Sequence, residues 1–386
     1  MSKPNIACYS PGLAGIPVAE SAISYVDGER GYLEYRGISI EELAEHSTFE
    51  ETAYLLIYGK LPTKEELDRF DQALREHRRI KFRIRDIMKH FPETAHPMDA
   101  LQANVAVLGM FYPLPRLLSG TYDEATVFDV CVKSIAKMPT LVAAHARMRH
   151  GDDPIPPRDD LPHAANFYYM LTGREPDPLV ARILDVALIV HAEHTMNAST
   201  FAMLVAASTG ADPYTCISAA IGALSGPRHG GANEAVLKML DEIGSVDRVE
   251  AYLKEKLAKK EKIPGLGHRV YKTKDPRATL LQKLYAELAQ SDGIDPIYEI
   301  ARKIEELSRE TLGKKGVYPN VDFYSGIVYQ HIGIPRDLFT PIFAIARVAG
   351  WLAHWREQLG KSRIYRPTQI YVGEHNKPYI PIDKRG

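Results

Sequence analysis

One histidine of this chain stands where a ligand could approach it closely. Residues 226–234 read Gly-Pro-Arg-His-Gly-Gly-Ala-Asn-Glu, so His229 is followed by two glycines that place no side chain beside its ring. The pattern beyond predicts a helix that begins at Gly231 or Ala232, whose unpaired N–H groups would keep the imidazole neutral. A neutral histidine can stabilise an enolate by hydrogen bonding, and the motif indicates that chemistry.

A second segment, residues 191–200, interrupts an apolar helical pattern with polar groups. It reads His-Ala-Glu-His-Thr-Met-Asn-Ala-Ser-Thr and places His191 and His194 three residues apart, where they could share a helix face. Two interpretations are open. The pair could bind a metal, although no third ligand is evident and the order is not that of zinc proteases, or both could be core histidines.

A fourth histidine follows a glycine-containing loop. Residues 264–277 read Pro-Gly-Leu-Gly-His-Arg-Val-Tyr-Lys-Thr-Lys-Asp-Pro-Arg, with the histidine at position 268. This is neither a P-loop nor a dinucleotide motif. Asp275 and Pro276 predict a helix start, so that Arg277 and the helix terminus would both favour an anion. Taken alone, Arg277 is more typical of a surface arginine.

A carboxylate stands between apolar residues in a fourth segment, residues 318–326. Val321 and Phe323 flank Asp322 and should remove it from water. Burial raises the pKa of a carboxyl group, which suits a base that removes a weakly acidic proton. The alternative is an aspartate that caps a helix.

Two arginines complete the set. Arg347 lies in an apolar helical pattern, residues 343–351, where a buried guanidinium needs an anionic partner, and an internal salt bridge is the alternative. Arg366 follows the last long helix. Three histidines, one carboxylate and three arginines would together serve a proton abstraction beside a dianionic substrate.

Helix signals dominate the elements that must position these residues. They are three capping boxes and four Asp-Pro pairs: Ser39-x-x-Glu42, Thr48-x-x-Glu51, Thr63-x-x-Glu66, 177–178, 212–213, 275–276 and 295–296. Strand signals are limited to a small hairpin within 13–36 and a strand at 368–372. No series of strands alternates with the helices, so we predict a mostly α protein.

Composition narrows the class of protein. The 386 residues are 45% hydrophobic and 25% charged, with a net charge of −1 that gives no reason to expect nucleic acid. No apolar run approaches the ~18 residues that span a membrane. Cys8, Cys131 and Cys216 are far apart, which favours an intracellular chain without disulfides or a zinc site. The scarcity of Asn and Gln is a thermophile signature.

The motifs resemble those of the citrate synthase family and occur in the family's order. The similar segments are 191–200, 226–234, 267–277, 320–326, the Arg347 helix and an early stretch between Tyr35 and Pro62. The resemblance runs from about residue 20 to residue 370. As a set, the histidine motifs and Asn-Val-Asp are highly specific.

The resemblance implies a fold and an assembly. The fold is all-α, with a large domain of residues 1–221 and 331–386 and a smaller inserted helical domain of residues 222–330 that binds CoA and closes. The implied assembly is a cytoplasmic homodimer. The chain is shorter at its N-terminus than the NADH-inhibited hexameric forms, so NADH regulation is not expected.

The resemblance also implies a reaction of the tricarboxylic acid cycle, the condensation of acetyl-CoA with oxaloacetate and water to citrate and CoA. In that reaction Asp322 takes a proton from the acetyl methyl group. His229 hydrogen-bonds the thioester oxygen as the enolate forms, and His268 protonates the oxaloacetate carbonyl. No metal and no cofactor are implied, since the CoA thioester is a substrate.

Binding residues are implied in the same way. Oxaloacetate would be held by His194, Arg277 and Arg347, with Arg366 reaching in from the partner subunit. The implied CoA contacts are the loop before the fourth histidine and two lysines: Ile263, Pro264, Gly265, Leu266, Gly267, Lys272 and Lys314.

One departure and one rival remain. Glu193-His194-Thr195 replaces the family's commoner Asp-His-Glu, so the wall beside oxaloacetate is expected to differ. The rival is 2-methylcitrate synthase, which uses propionyl-CoA with the same catalytic residues. One methylene changes binding by only ~1–3 kcal/mol, and the sequence does not place that pocket. A non-catalytic CoA-binding protein is less favoured, because all three catalytic residues are present. A metalloenzyme built on His191 and His194 is also less favoured, because no third ligand is evident.

Overall fold

α-Helices make up most of the chain in the computed structural model, which describes residues 9–115, 121–361 and 363–385. The helices of the first half are α1 (Ile40–His46), α2 (Phe49–Tyr58), α3 (Lys64–Glu76), α4 (Phe82–Met88), α5 (Pro97–Phe111), α6 (Glu124–Met148), α7 (His163–Thr172) and α8 (Pro178–His191). Those of the second half are α9 (Ala198–Ala207), α10 (Pro213–Leu224), α11 (Ala232–Ile243), α12 (Val249–Ala258), α13 (Pro276–Asp292), α14 (Pro296–Leu312), α15 (Val321–His331) and α16 (Phe339–Gln358). The prediction of an all-α fold is confirmed.

The predicted helix starts are confirmed as well. Each capping residue accepts a hydrogen bond from a backbone N–H of the first turn, which satisfies a donor that the helix itself leaves unpaired. At Thr63 the reciprocal bond, which the backbone N–H of Thr63 donates to the carboxylate of Glu66, is also present. The caps are Ser39, Thr48, Thr63, Asp177, Asp212, Asp275 and Asp295.

The predicted hairpin is present, and a third short strand extends it. The strands β1 (Ser24–Asp27), β2 (Tyr32–Tyr35) and β3 (Ile38–Ser39) form an antiparallel sheet in that order. The strand predicted at 368–372 is wrong, because residues 363–385 contain no strand. A strand needs a neighbour to complete its backbone hydrogen bonds, and side-chain alternation cannot supply one.

The core is organised around α16. Every residue from Phe339 to Trp355 is buried, as expected for a central helix that is apolar on all sides. It packs against α2, α6, α8, α9 and α10. Arg347 therefore lies in the middle of the protein's most buried helix.

Contacts divide the chain into two units. One unit is Ser21–Arg363, and the other consists of the two ends, Met1–Glu20 with Ile364–Gly386. Residues 151–158 form a proline-rich segment, and the residues on both sides of it belong to the first unit. The segment is therefore a connection within one unit. The helices α11 to α15 pack largely on one another, while α13 also contacts α1 and α8. The predicted domain of residues 222–330 lies within the first unit, and its boundaries stay a prediction.

Two findings bear on the class of protein. No helix in the described ranges has the length and apolar character needed to cross a membrane. Cys131 and Cys216 are buried free thiols, whereas Cys8 lies outside the described residues.

Gly350 allows α16 to pass the connection between α8 and α9. A Cβ at this position would overlap the carbonyl oxygen of Ala192 and the carboxylate of Glu193. Gly350→Ala should therefore lower the melting temperature by several degrees, corresponding to about 1–3 kcal/mol of overpacking. Differential scanning calorimetry measures this change.

Gly226→Ala is the matched control. A Cβ at Gly226 would meet only the carbonyl oxygen of Ala223, at 3.6 Å, so this variant should equal or slightly exceed the parent in stability. Equal losses in the two variants would contradict the steric explanation.

Candidate active site

His229 lies in the turn between α10 and α11. Helix α11 begins at Ala232 with Gly231 as its N-cap, as predicted. The reason for glycine at position 230 differs from the expected one: a Cβ there would lie 2.6 Å from the carbonyl oxygen of Leu224 and from the side chain of Thr340. The missing side chain thus lets the turn close against α10 and α16.

A backbone N–H fixes the proton of His229. The backbone amide of Ser199 lies 3.3 Å from its Nε2, and the hydroxyl of Ser199 lies 3.0 Å from the same atom. Because an amide N–H can only donate, Nε2 accepts and the neutral ring carries its proton on Nδ1. The N–H in contact with the ring belongs to the start of α9, whereas the sequence predicted α11. Burial, assisted by the charge of Arg347, lowers the pKa of His229 to about 4.

Arg347 approaches the same region from α16. Its Nε donates to the carbonyl oxygen of His191 at 2.7 Å, so this bond goes to a carbonyl and not to the carboxylate of the salt-bridge alternative. The guanidinium lies 4.7 Å from the ring centroid of Phe343, and the ring of His229 lies 6.2 Å from the same phenyl ring. Burial lowers the pKa of Arg347 to about 10, and it stays a cation.

His268 has the opposite tautomer to His229. Its Nδ1 accepts from the backbone N–H groups of Val270 and Tyr271, at 3.1 and 3.2 Å. The neutral ring therefore carries its proton on Nε2. Burial and the charge of Arg277 lower the pKa of His268 to about 4.

His194 lies beside His268. The two ring centroids are 5.1 Å apart, and the Nε2 of His194 is 3.1 Å from the hydroxyl of Tyr271. Burial, Arg277 and the neighbouring histidine hold the pKa of His194 well below its usual value. Two neutral imidazoles thus share one wall of the site.

His191 fits the core-histidine interpretation. Its Nδ1 lies 2.7 Å from the carbonyl oxygen of Ala187, one turn earlier in α8. Burial lowers its pKa to about 3. Within the described residues, no group of three or more His, Cys, Asp or Glu side chains could hold a metal ion.

Arg277 is paired with Asp275, the cap of its own helix. Asp275 accepts from the Nε of Arg277 at 3.0 Å and from its Nη2 at 2.7 Å. Arg277 is only 2% exposed, so the surface-arginine interpretation is wrong. Burial alone would lower its pKa, but Asp275 outweighs burial and raises it. The same carboxylate accepts from the backbone N–H of Val321 at 3.2 Å, which ties Arg277 to the start of α15.

Asp322 is the second residue of α15. The N-cap of this helix is Asn320, so the capping interpretation of Asp322 is wrong. Its Oδ1 is buried without a hydrogen-bond partner in the described part of the chain. Burial raises the pKa of Asp322 to about 7, against the opposing charges of Arg277 and Arg347. An unpartnered carboxylate oxygen with a pKa near neutrality is suited to accept a proton.

The loop of residues 263–267 is fastened to the helix that carries Asp322. Asn320 donates its backbone N–H to the carbonyl of Gly265 at 2.9 Å and its side-chain amide to the carbonyl of Gly267 at 3.0 Å. A Cβ at Gly265 would lie 2.6 Å from Val236 and 2.8 Å from Phe323. Glycine at this position thus permits a close approach of loop and helix.

The two predicted lysines lie on neighbouring surface segments. Lys272 and Lys314 are both exposed, and the backbone of Gly316, just after Lys314, lies against the backbone of Lys272. Arg366 is also exposed, but it belongs to the unit formed by the chain ends. Its predicted place in the site stays a prediction.

Sequence reasoning missed the contacts that orient these groups. Ser199 was part of a quoted motif, but its contact with His229 joins positions 30 apart in the chain. Tyr271 was also part of a quoted motif, but its contact with His194 joins positions 77 apart. The pairing of Arg277 with Asp275 had a usable signal, because an N-cap aspartate two positions before an arginine places the two side chains on one helix turn.

The raised pKa of Asp322 predicts a pH-dependent cost in stability. The ordinary value is 3.8 and the folded value is about 7, so the folded state holds the proton more tightly than the unfolded chain. The cost is absent below about pH 4, grows as pH rises to about 7 and is complete above that pH. Asp322→Asn should therefore be more stable than the parent at pH 8, by at most about 4 kcal/mol.

Thermal unfolding of parent and variant at several pH values measures this difference. The advantage of Asp322→Asn should shrink to nothing as the pH approaches 4. A difference that does not vary with pH would contradict the raised pKa.

Comparison with known proteins gives one family. The family described as "Citrate synthase, C-terminal domain" matches residues 12–368. A citrate synthase of Synechocystis sp. is 58% identical over 377 residues, which cover 98% of this chain and 94% of that protein.

Solved structures give the same result. The crystal structure of citrate synthase from Pyrobaculum aerophilum has a TM-score of 0.92 and 43% identity, and the match covers 97% of this chain and 95% of that one. The ternary complex of carboxymethyl coenzyme A and oxaloacetate with the citrate synthase of Thermoplasma acidophilum has a TM-score of 0.92 and 33% identity, covering 98% and 99%. With a family match that spans most of its length and relatives that cover nearly all of it, the chain belongs to the citrate synthase family.

Proposed function

We propose that this transferase condenses acetyl-CoA with oxaloacetate and water to give citrate and free CoA. The observation that carries the proposal is the arrangement around Asp322. One carboxylate oxygen of Asp322 has no hydrogen-bond partner among the described residues, and the charges of two buried arginines, Arg277 and Arg347, act on this carboxylate. Of the two neutral histidines of opposite tautomer, His229 is under the charge of Arg347 and His268 under that of Arg277. This set supplies a base, two N–H donors and positive charge for a dicarboxylate.

Enolisation is the first step. Asp322 takes a proton from the acetyl methyl group, and the electron pair of the C–H bond moves to the thioester oxygen. The Nδ1–H of His229 donates to that oxygen as its charge grows. A preorganised donor of this kind is worth roughly 2.7–4 kcal/mol in the transition state.

Carbon–carbon bond formation is the second step. The enolate carbon attacks the keto carbon of oxaloacetate, and the carbonyl oxygen takes the proton from Nε2 of His268. Arg277, Arg347 and His194 hold the substrate carboxylates, because buried guanidinium groups bind carboxylates strongly. Water then hydrolyses the citryl thioester and releases citrate and CoA.

The proposed CoA-binding part of the site is built on the loop beside α15. Residues 263–267 contact the adenine, and the exposed Lys272 and Lys314 contact the phosphates. Their place on neighbouring segments supports this assignment. Residues 222–330 act as the closing domain, which excludes water from the thioester until condensation.

The assembly proposed is a cytoplasmic homodimer in which Arg366 of one subunit completes the oxaloacetate site of the other. No cofactor is required, since the thioester carries the activated acyl group.

Acetyl-CoA is the proposed thioester, in preference to propionyl-CoA. The relatives cited above carry the name citrate synthase, and that name supports the acetyl substrate. An assay of free CoA release with oxaloacetate and each thioester tests the choice. We expect kcat/KM for acetyl-CoA to exceed that for propionyl-CoA by at least tenfold, and the reverse order would identify a 2-methylcitrate synthase.

Two substitutions test the catalytic assignments. Asp322→Asn and His229→Ala should each lower kcat by two or more orders of magnitude, because they remove the base and the enolate donor. Steady-state kinetics at saturating substrates measure the loss, and circular dichroism verifies the fold.

Matched controls separate chemistry from burial. Burial also raises the pKa of Asp185 to about 7 and lowers the pKa of His145, and both residues lie outside the site. Asp185→Asn and His145→Ala should keep kcat within about threefold of the parent. Near-normal turnover in Asp322→Asn or His229→Ala would remove the mechanism.

A further inference from the structure

His194 is presented by an unusual turn. It stands in the six-residue connection between α8 and α9, and the next residue, Thr195, has a φ of +51°. A β-branched residue rarely adopts this left-handed conformation, because its side chain crowds the backbone. The surroundings must therefore hold the turn in place.

The hydroxyl of Ser24 bridges the two residues on either side of His194. It donates to Oε1 of Glu193 at 3.0 Å and accepts from the backbone N–H of Thr195 at 3.1 Å. Ser24 is the first residue of β1 and pairs with Tyr35 of β2. One oxygen thus links the start of the sheet to both flanks of the histidine.

Tyr35 holds the backbone of the same turn. Its hydroxyl donates to the carbonyl of Glu193 at 2.8 Å and accepts from the N–H of Glu193 at 3.2 Å. Each of the two strands therefore contributes one hydroxyl group that is hydrogen-bonded to the turn. Ser24 is hydrogen-bonded to the backbone of the strained residue Thr195, whereas Tyr35 is hydrogen-bonded to the backbone of Glu193.

Glu193 connects the turn to Arg347. Its carboxylate is fully buried and lies 3.0 Å from Nε2 of His354. Burial would raise its pKa, but His354 and Arg347 outweigh burial and lower it, so Glu193 is ionised. It is also the strongest charge that supports the buried Arg347 as a cation. A group that fixes Glu193 thus acts on both His194 and Arg347.

We infer that Ser24 is a positioning residue for the dicarboxylate substrate. Its hydroxyl holds the left-handed turn at Thr195 and the carboxylate of Glu193, and thereby sets the place of His194 and the electrostatic environment of Arg347. The inference rests on the proposed function, in which these two residues hold oxaloacetate. It also assigns a role to the chain's departure from the family pattern, since the strained residue is the threonine at position 195.

Ser24→Ala tests the inference. The variant loses both hydrogen bonds, one of them to an ionised group, so the Kd and the KM for oxaloacetate should rise about 10-fold or more. The KM for acetyl-CoA, measured at saturating oxaloacetate, should stay within about twofold of the parent. Isothermal titration with oxaloacetate gives the Kd, and the CoA-release assay gives the KM values.

A second substitution distinguishes positioning from a general loss of stability. Glycine adopts a positive φ without strain, so Thr195→Gly in the Ser24→Ala background should restore the oxaloacetate KM to within about threefold of the parent. Ser21→Ala is the matched control, because within the described part of the chain that hydroxyl only accepts from the nearby backbone N–H of Ile23, and the KM values of this variant should be unchanged.

The outcomes separate this inference from the proposed function. A parent chain that binds oxaloacetate and releases CoA, with a Ser24→Ala variant whose oxaloacetate KM stays within twofold, would overturn the inference alone. Equal rises in both KM values, or no rescue by Thr195→Gly, would overturn it too. A parent chain that neither binds oxaloacetate nor releases CoA would overturn both.

Discussion

The ion pair between the carboxylate of Asp275 and Arg277 is the interaction on which the site depends. The Asp275 carboxylate caps α13, accepts hydrogen bonds from two side-chain nitrogens of Arg277 and accepts one from the first backbone N–H of α15. A buried guanidinium without a counter-charge would be unstable, and Asp275 removes that cost while it fixes the direction of the side chain. The same group sets the start of the helix that carries Asp322. One residue therefore positions both the buried charge of Arg277 and the helix that carries Asp322.

Backbone groups assign the protons of His229 and His268. Ser199 donates to one ring, and Val270 and Tyr271 donate to the other. An amide N–H does not titrate near neutral pH and cannot reverse its role, so each tautomer is fixed by the chain path itself. The opposite assignments leave Nδ1–H of His229 and Nε2–H of His268 available, and the proposed reaction needs a donor at two different oxygens.

Local and long-range features differ in how far the sequence predicted them. The caps at Thr63 and Asp295 were readable, because capping depends on residues two or three positions apart. The hairpin was readable for the same reason. The motifs around His229, His268 and Asp322 were recognised as a set, and in the structure the charge of Arg277 or Arg347 acts on each of these three residues. The contact of Ser24 with Thr195 joins residues 171 positions apart in the chain, and no local sequence pattern encodes a contact over that separation. The false strand at 368–372 shows the converse, since alternation alone does not supply a pairing edge.

Burial of the site reduces the number of its charge states. In water, three histidines and an aspartate would give a mixture of protonation states at mildly acidic pH. Here the pKa of His229 and of His268 is about 4, that of His194 is lower than usual, and that of Asp322 is about 7. Between pH 5 and 8 the rings of His229 and His268 stay neutral, while the carboxyl group of Asp322 loses its proton near pH 7. In this range the site has two states that differ by the single proton of Asp322, and the proposed reaction uses the state without it.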